Sequence, residues 1–123
     1  MSISRHNLTV IIVSFKSDHV IDRCIKSIDN TIEIIVVDNN SPDKSGQFFS
    51  EQYPEVKFIL NETNVGVPGG LNIGIRNASG EFVVLLNNDL VVMPNWLDNF
   101  FKAYEKPGDA LYQPKSLLKS EIL

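Results

Sequence analysis

A carboxylate at the end of an apolar segment is the first candidate for chemistry in this chain. Phe82–Leu86 is a continuous apolar run, typical of a buried strand, and Asn87-Asn88-Asp89 follows it directly. Open α/β sheets bind their ligands beyond the carboxyl ends of the strands. A Mg²⁺ or Mn²⁺ ion needs few protein carboxylates there, because waters and substrate phosphates complete its shell. A polar turn between a strand and a helix explains the triplet equally well.

A second apolar run ends in the same way. Ile32–Val37 leads into Asp38, whose ionised carboxylate could accept hydrogen bonds from a ribose hydroxyl or a base N–H. The competing interpretation is an aspartate that stabilises its own loop through local backbone bonds. We favour binding because other polar loops are predicted at the same edge of the sheet.

A third segment, Asn64–Gly70, is dense in small residues, which allow a backbone to approach a ligand closely. Its Pro68 suits the start of a helix, and helix N-termini favour anions. The segment contains neither a Walker loop nor a GxGxxG fingerprint. A flexible loop is therefore an equal interpretation.

An alternation of strands and helices must position these loops. Helices are predicted from Ser41-Pro42 to about Gln52, through Ala78 with Gly80 as a left-handed terminator, and from Pro94 onward. A further helix carries the apolar stripe Val20, Ile21, Cys24, Ile25 and Ile28. Strands are predicted over Leu8–Phe15, Ile32–Val37, Val56–Leu60, Phe82–Leu86 and Ala110–Tyr112. The fold class is α/β, a mostly parallel open sheet with helices on both faces.

Composition limits the class of protein. The chain has 123 residues, enough for one domain, and a net charge of −4, which argues against a nucleic-acid partner. Its single cysteine, Cys24, rules out an internal disulfide framework and is expected in the core. No segment approaches the roughly 20 apolar residues of a membrane span, so we expect a cytoplasmic protein, or one peripheral to the inner face of the membrane.

Four segments in order resemble the nucleotide-sugar-binding half of a family 2 glycosyltransferase with the Rossmann-like GT-A fold. They cover about residues 8 to 115, and the third looks most like rhamnosyltransferases and related enzymes of polysaccharide assembly. The segments are Val10–Lys16, Ile35–Asp43, Asn64–Gly74 and Leu85–Asp89.

The resemblance implies a role for each matching position. Ser14 and Phe15 would line the base and ribose pocket, and Asp38 would bond a uracil or thymine ring. Asn64, Gly66 and Asn72 would shape the pocket wall. Asn87 and Asn88 would belong to a DXD-like motif in which Asp89 holds Mn²⁺ or Mg²⁺ against the diphosphate of a UDP- or dTDP-sugar. The implied reaction is a metal-dependent, inverting transfer of the sugar to a saccharide or lipid-linked acceptor.

Three departures from the family pattern change these expectations. The first acidic position of the DXD motif is Asn87, and Leu71 stands where many members carry a basic residue. The general base and the acceptor-binding part of the family would lie beyond this chain, which therefore looks like a truncated donor-binding domain. Exposed apolar surface left by such a truncation predicts a homo-oligomer.

Two other interpretations stay open. A donor-binding fragment without turnover would bind nucleotide and self-associate. A receiver-type phosphoacceptor domain fits the length and Asp89, but it would carry an acidic pair just after the first strand, where this chain has Ser14-Phe15-Lys16.

Overall fold

The computed structural model describes residues 8–16 and 18–104. Four strands alternate with four helices along this part of the chain. The elements are β1 Leu8–Ser14, α1 Asp18–Ser27, β2 Glu33–Asp38, α2 Ser45–Gln52, β3 Lys57–Leu60, α3 Gly66–Asn77, β4 Phe82–Asn87 and α4 Trp96–Tyr104.

The four strands form one parallel sheet in the order β3-β2-β1-β4. Strand β1, one of the two inner strands, is buried along nearly its whole length, as expected for a strand with neighbours on both sides and helices above and below. This architecture confirms the predicted α/β class. Because all strands run the same way, the loops that follow them open at one edge of the sheet.

Alternation along the strands divides the core into two layers. On one face, Val10, Ile12 and Val36 pack with Cys24 of α1, Phe49 of α2 and Leu97 of α4. On the other face, α3 lies across β1 and β2. Helices therefore cover both faces, and the expected burial of Cys24 is confirmed.

Glycine spacing sets how closely α3 approaches the sheet. A Cβ added at Gly74 would lie 2.4 Å from Cγ2 of Ile11, and one at Gly70 would lie 2.9 Å from Cγ1 of Val13. The two glycines are one helical turn apart, so they share the face of α3 that meets β1. Any larger side chain at Gly74 would push the helix away from the strand.

Several predicted helix boundaries are wrong, and α4, for example, begins at Trp96 rather than at Pro94. Helix α2 begins at Ser45 rather than at Pro42, because Ser41 is engaged by the Asp38 carboxylate instead of capping a helix. Helix α3 begins at Gly66, so the second half of the loop predicted over Asn61–Gly70 is helical. Gly80 is no left-handed terminator: α3 ends at Asn77, and the positive-φ glycine of the described residues is Gly66. The predicted strand Ala110–Tyr112 lies outside the described residues.

A polar cluster fixes the opposite, amino edge of the sheet. The Glu33 carboxylate accepts hydrogen bonds from the Thr9 hydroxyl at 2.7 Å and from the backbone and side chain of Ser79 at 2.8 and 3.0 Å. Thr9 Oγ1 also accepts from the Gly80 N–H at 3.0 Å. These bonds hold the α3–β4 connection against β1 and β2, which sets the position of β4.

Candidate functional site

A cleft of about 460 Å³ lies at the carboxyl edge of the sheet, where the loops after the strands meet. Its polar side is built from the end of β4, the start of α3 and the end of β2, and its apolar side from α3, β1 and β4. The lining residues are Val13, Phe15, Asn39, Asn64, Gly66, Val67, Leu71, Leu85, Leu86, Asn87, Asn88 and Asp89.

Six of the nine predicted site residues line this cleft, and three do not. Phe15, Asn64, Gly66 and the triplet Asn87-Asn88-Asp89 come together from three loops. Ser14, Asp38 and Asn72 lie outside the lining set. A second hollow of about 250 Å³, between the end of α1 and the start of α4, contains none of the nine.

Strand alternation explains which residues reach the cleft. Ser14 and Asp38 are register partners on β1 and β2, and they share one side of the sheet. That side faces α2, because a Cβ added at Gly46 would lie 2.6 Å from the Asp38 carboxyl carbon. The next residue along each strand, Phe15 and Asn39, lies on the cleft side.

Asp38 is a buried loop-organising residue in this structure. It is 2% exposed, and its two carboxylate oxygens accept hydrogen bonds from the Ser41 N–H at 3.0 Å and from the Ser41 hydroxyl at 2.6 Å. Ser41 Oγ in turn accepts from the Lys16 N–H at 2.9 Å. Asp38 thereby ties the loop after β2 to the loop after β1, and its contact with a base stays a prediction.

Three residues in these two loops hold a left-handed backbone. The φ angles of Lys16, Asn40 and Lys44 are 52°, 60° and 63°. Residues other than glycine rarely adopt this conformation, and asparagine tolerates it best. The Asp38–Ser41–Lys16 bonds hold Lys16 in place, and its Nζ lies 5.4 Å from the centroid of the Phe15 ring that lines the cleft.

The start of α3 forms one wall of the cleft. Asn64 Oδ1 accepts a hydrogen bond from the Gly66 N–H at 2.9 Å, closing a short asparagine turn into the helix. Gly66 has a φ of 77°, which suits glycine. Asn72 lies farther along α3 and is exposed outside the cleft.

The Asn87-Asn88-Asp89 triplet forms a turn, closed by the Leu90 N–H donating to the Asn87 carbonyl at 3.2 Å. The Asn87 carbonyl also accepts from the Cys24 thiol, with 3.8 Å between Sγ and O. Burial, and secondly the negative charge of Asp89, raises the pKa of Cys24 to about 11, so the thiol stays protonated. Asp89 itself is exposed to solvent in the cleft.

Comparison with known proteins assigns the chain to a family. The family model described as glycosyl transferase family 2 matches residues 9–120. The chain belongs to glycosyl transferase family 2. This confirms the predicted family, whereas the rhamnosyltransferase-like branch stays a prediction.

Two relatives match this chain over part of their own length. It is 28% identical over 120 residues to the low-salt glycan biosynthesis hexosyltransferase Agl10 of Haloferax volcanii, covering 94% of this chain and 38% of the relative. It is 37% identical over 90 residues to the GalNAc(5)-diNAcBac-PP-undecaprenol beta-1,3-glucosyltransferase of Campylobacter jejuni, covering 67% and 29%. The chain spans less than two fifths of either relative.

Two solved structures share the fold. TarS of S. aureus in complex with UDP-GlcNAc has a TM-score of 0.70 at 25% identity, covering 92% of this chain and 38% of that one. The mannosyltransferase PcManGT from Pyrobaculum calidifontis, in complex with GDP-Man and Mn²⁺, has a TM-score of 0.68 at 26% identity, covering 82% and 33%. Both support the GT-A fold of this family 2 chain.

The donor set of the cleft fits a hard divalent cation. Within the described ranges, Asp89 is the only charged residue that lines the cleft, and no group of three His, Cys, Asp or Glu side chains could hold a metal. The Asp89 carboxylate and the amide oxygens of Asn87 and Asn88 are oxygen ligands of the type that Mg²⁺ and Mn²⁺ prefer. Solvent reaches Asn87 and Asp89, so waters and phosphate oxygens could complete the shell.

The sequence did not reveal that Leu85 and Asn39 line the cleft. An apolar residue such as Leu85 is typical of the core, whereas Leu71, which also lines the cleft, was singled out by the family resemblance. Strand alternation could have predicted Asn39 as a lining residue: counting every second residue along β2 from the buried Ile35 and Val37 places Asn39, not Asp38, on the side of α3.

Among residues 8–16 and 18–104, no helix is long and apolar enough to cross a membrane.

Proposed function

We propose that this chain binds the nucleotide-sugar donor of a glycosyltransferase that acts in glycan biosynthesis. The observation that carries the proposal is the convergence of Phe15, Gly66 and Asp89, from three separate loops, on one cleft at the carboxyl edge of a parallel sheet. Membership in glycosyl transferase family 2 supports it, as does the binding of UDP-GlcNAc by TarS and of GDP-Man with Mn²⁺ by PcManGT.

The cleft offers a separate environment for each part of such a donor. The half-exposed Phe15 ring provides a flat surface on which a base can stack. The N-terminal turn of α3, at Gly66 and Val67, carries the partial positive charge of a helix start and favours phosphate. The apolar wall at Leu71 and Leu85 leaves the diphosphate without a cationic partner among the described lining residues.

That charge distribution makes divalent metal central to donor binding. Asp89 and a diphosphate repel each other unless a cation lies between them. Asp89, with the Asn87 and Asn88 amides, would hold Mn²⁺ or Mg²⁺. Such an ion would supply Lewis-acid stabilisation of the negative charge on the departing nucleoside diphosphate.

The reaction we propose for the whole protein is inverting transfer to a saccharide or lipid-linked acceptor. The acceptor oxygen attacks the anomeric carbon opposite the leaving group, the bond from that carbon to the phosphate oxygen breaks, and a base takes the acceptor proton. We assign no residue of the cleft as this base, because Asp89, the only carboxylate among the described lining residues, is the proposed metal ligand. We propose that the base lies outside the described residues.

Asp89→Asn tests the donor site. In calorimetric titrations of UDP in Mn²⁺, we expect this variant to lose at least about tenfold in affinity, equivalent to about 1.4 kcal/mol. Asp98→Asn, which removes an exposed carboxylate on α4, is the matched control and should bind like the unmodified chain. The proposal fails if the unmodified chain binds none of UDP, dTDP or GDP in Mn²⁺. Equal binding by both variants would refute the role of Asp89.

A further inference from the structure

We propose that Asn39 is a positioning residue that holds the segment from Asn61 to Gly66 in place as a wall of the cleft. The effect on ligand binding rests on the donor-binding function proposed above, whereas the effect on the segment does not. Asn39 is 2% exposed and follows β2 directly, and Gly70 of α3 passes close to its amide nitrogen.

Both functional groups of the Asn39 amide are used, and they reach both ends of the segment. Its Oδ1 accepts hydrogen bonds from Asn61 Nδ2 at 2.9 Å and from the Val65 N–H at 3.4 Å. Its Nδ2 donates to the Gly66 carbonyl at 3.0 Å. One buried side chain thus spans the connection between β3 and α3.

Among the described residues, few other hydrogen bonds hold the rest of this segment. Residues 62–65 are exposed, and the Asn64–Gly66 hydrogen bond is local to the turn. Asn61 has a second anchor, because its N–H donates to the Asp38 carbonyl at 2.9 Å. At the other end, the bond from Asn39 to the Gly66 carbonyl sets the direction in which the first turn of α3 enters the cleft.

The chemistry of the amide makes Asn39 difficult to replace. Aspartate has nearly the same shape and keeps the acceptor for Asn61 and Val65, but it has no donor for the Gly66 carbonyl. It would place a buried negative oxygen against a carbonyl oxygen, which is unfavourable. We call the hydrogen bonds from the Asn39 amide to Asn61, Val65 and Gly66 the Asn39 clamp. Asn39→Asp removes the bond to Gly66 while preserving the volume of the side chain.

Amide hydrogen exchange on the full chain, together with UDP titration in Mn²⁺, tests the clamp. For Asn39→Asp we expect exchange at Gly66, whose carbonyl loses its donor, to accelerate at least tenfold relative to strand β1, and UDP affinity to fall at least tenfold. Asn30→Asp adds the same charge at an exposed position between α1 and β2, and it should change neither. A merely structural role would instead accelerate exchange throughout the sheet.

Asn61→Ala removes the donor to Asn39 Oδ1 and leaves Asn39 itself unchanged. This variant tests the proposal if Asn39→Asp does not fold. It should accelerate exchange in residues 61–66 and leave β1 unchanged. Unaltered exchange in this segment, or acceleration spread evenly over the strands, would overturn the proposal. Should the unmodified chain bind no nucleotide, the donor-binding proposal fails by itself, and the exchange pattern still decides for or against the clamp.

Discussion

Asp38 and Asn39 are neighbours in the chain but serve opposite sides of the sheet. Asp38 faces α2 and joins two loops through Ser41, while Asn39 lies on the side of α3 and lines the cleft. Two consecutive polar residues at a strand end therefore have different roles: Asp38 organises the loops, and Asn39 shapes the cleft. The general consequence is that adjacent polar residues at a strand end should not be assigned to one ligand without counting the alternation.

The polar cluster at the amino edge gives a pH prediction. Partial burial raises the pKa of Glu33, but hydrogen bonds from the Ser79 N–H, the Thr9 hydroxyl and the Ser79 hydroxyl outweigh it. The positive charge of Lys57 also lowers the pKa of Glu33, which lies below the ordinary value of 4.5. The carboxylate therefore contributes stability above pH 4.5 that is lost as the pH falls through its folded-state pKa.

Chemical denaturation of Glu33→Gln measures this contribution. The variant should unfold more easily than the unmodified chain near neutral pH, and the difference in unfolding free energy should shrink as the pH falls below 4.5. Glu51→Gln, an exposed position on α2, is the control. A difference that stays constant from neutral to acidic pH would show that charge on Glu33 is not what stabilises the edge.

At the scale of elements, the close contact between α3 and β1 gives α3 its position at the cleft. Gly74→Ala would place a methyl group 2.4 Å from Cγ2 of the buried Ile11, and we expect a loss of about 1–3 kcal/mol in unfolding free energy. Gly69→Ala, whose added methyl meets the half-exposed Val65, should change stability by less than about 1 kcal/mol. Equal effects from the two substitutions in thermal unfolding would contradict the close-packing account.

The sequence predicts the strands better than the helix boundaries, for a physical reason. Continuous apolar runs rich in β-branched residues predict parallel strands, and β1 and β4 end within one residue of their predicted limits. The predicted burial is confirmed for β1 but wrong for β4, an outer strand of which only Leu86 is buried. Helix starts depend on competing local hydrogen bonds. The Ser41 hydroxyl could cap a helix or donate to Asp38, and in the structure it donates to the buried Asp38 carboxylate. Helix α3 contains Gly70 and Gly74 because it approaches β1 closely there, and isolated helix propensity cannot anticipate that contact.

At the scale of the whole molecule, the outer strand β4 carries exposed apolar side chains. Within the described residues it pairs with β1 alone, and Val83 and Leu85 on it are 37% and 48% exposed. Unpaired strand edges promote association, and a lysine on the edge opposes it. We therefore expect the 123-residue chain to self-associate through this strand.

Sedimentation velocity compares Val83→Lys with Phe48→Lys, which changes a residue that is 62% exposed on α2. The first substitution should shift the chain towards monomer, and the second should leave its association unchanged. A monomeric unmodified chain would contradict the expected homo-oligomer.

The edge of the sheet that carries the site follows from the sequence, because four polar loops after parallel strands must meet there. The cleft itself depends on tertiary contacts that no single segment encodes. Asn39 holds one wall of the cleft through partners 22 to 27 residues away in the chain. Leu71 and Leu85 become lining residues only when α3 packs on β1 and β4 pairs with β1.

Nuclear magnetic resonance with Mn²⁺ as a paramagnetic probe tests the central claim, that donor and metal meet in this cleft. On adding Mn²⁺ and UDP to the isotopically labelled chain, we expect the amide signals of Asn88 and Asp89 to broaden first, followed by those of Gly66 and Phe15. Signals of Ser79 and Gly80, at the opposite edge, should stay sharp, and Mg²⁺ should broaden none of them. Broadening centred away from Asp89, or unchanged by UDP, would contradict a nucleotide-sugar site in this cleft.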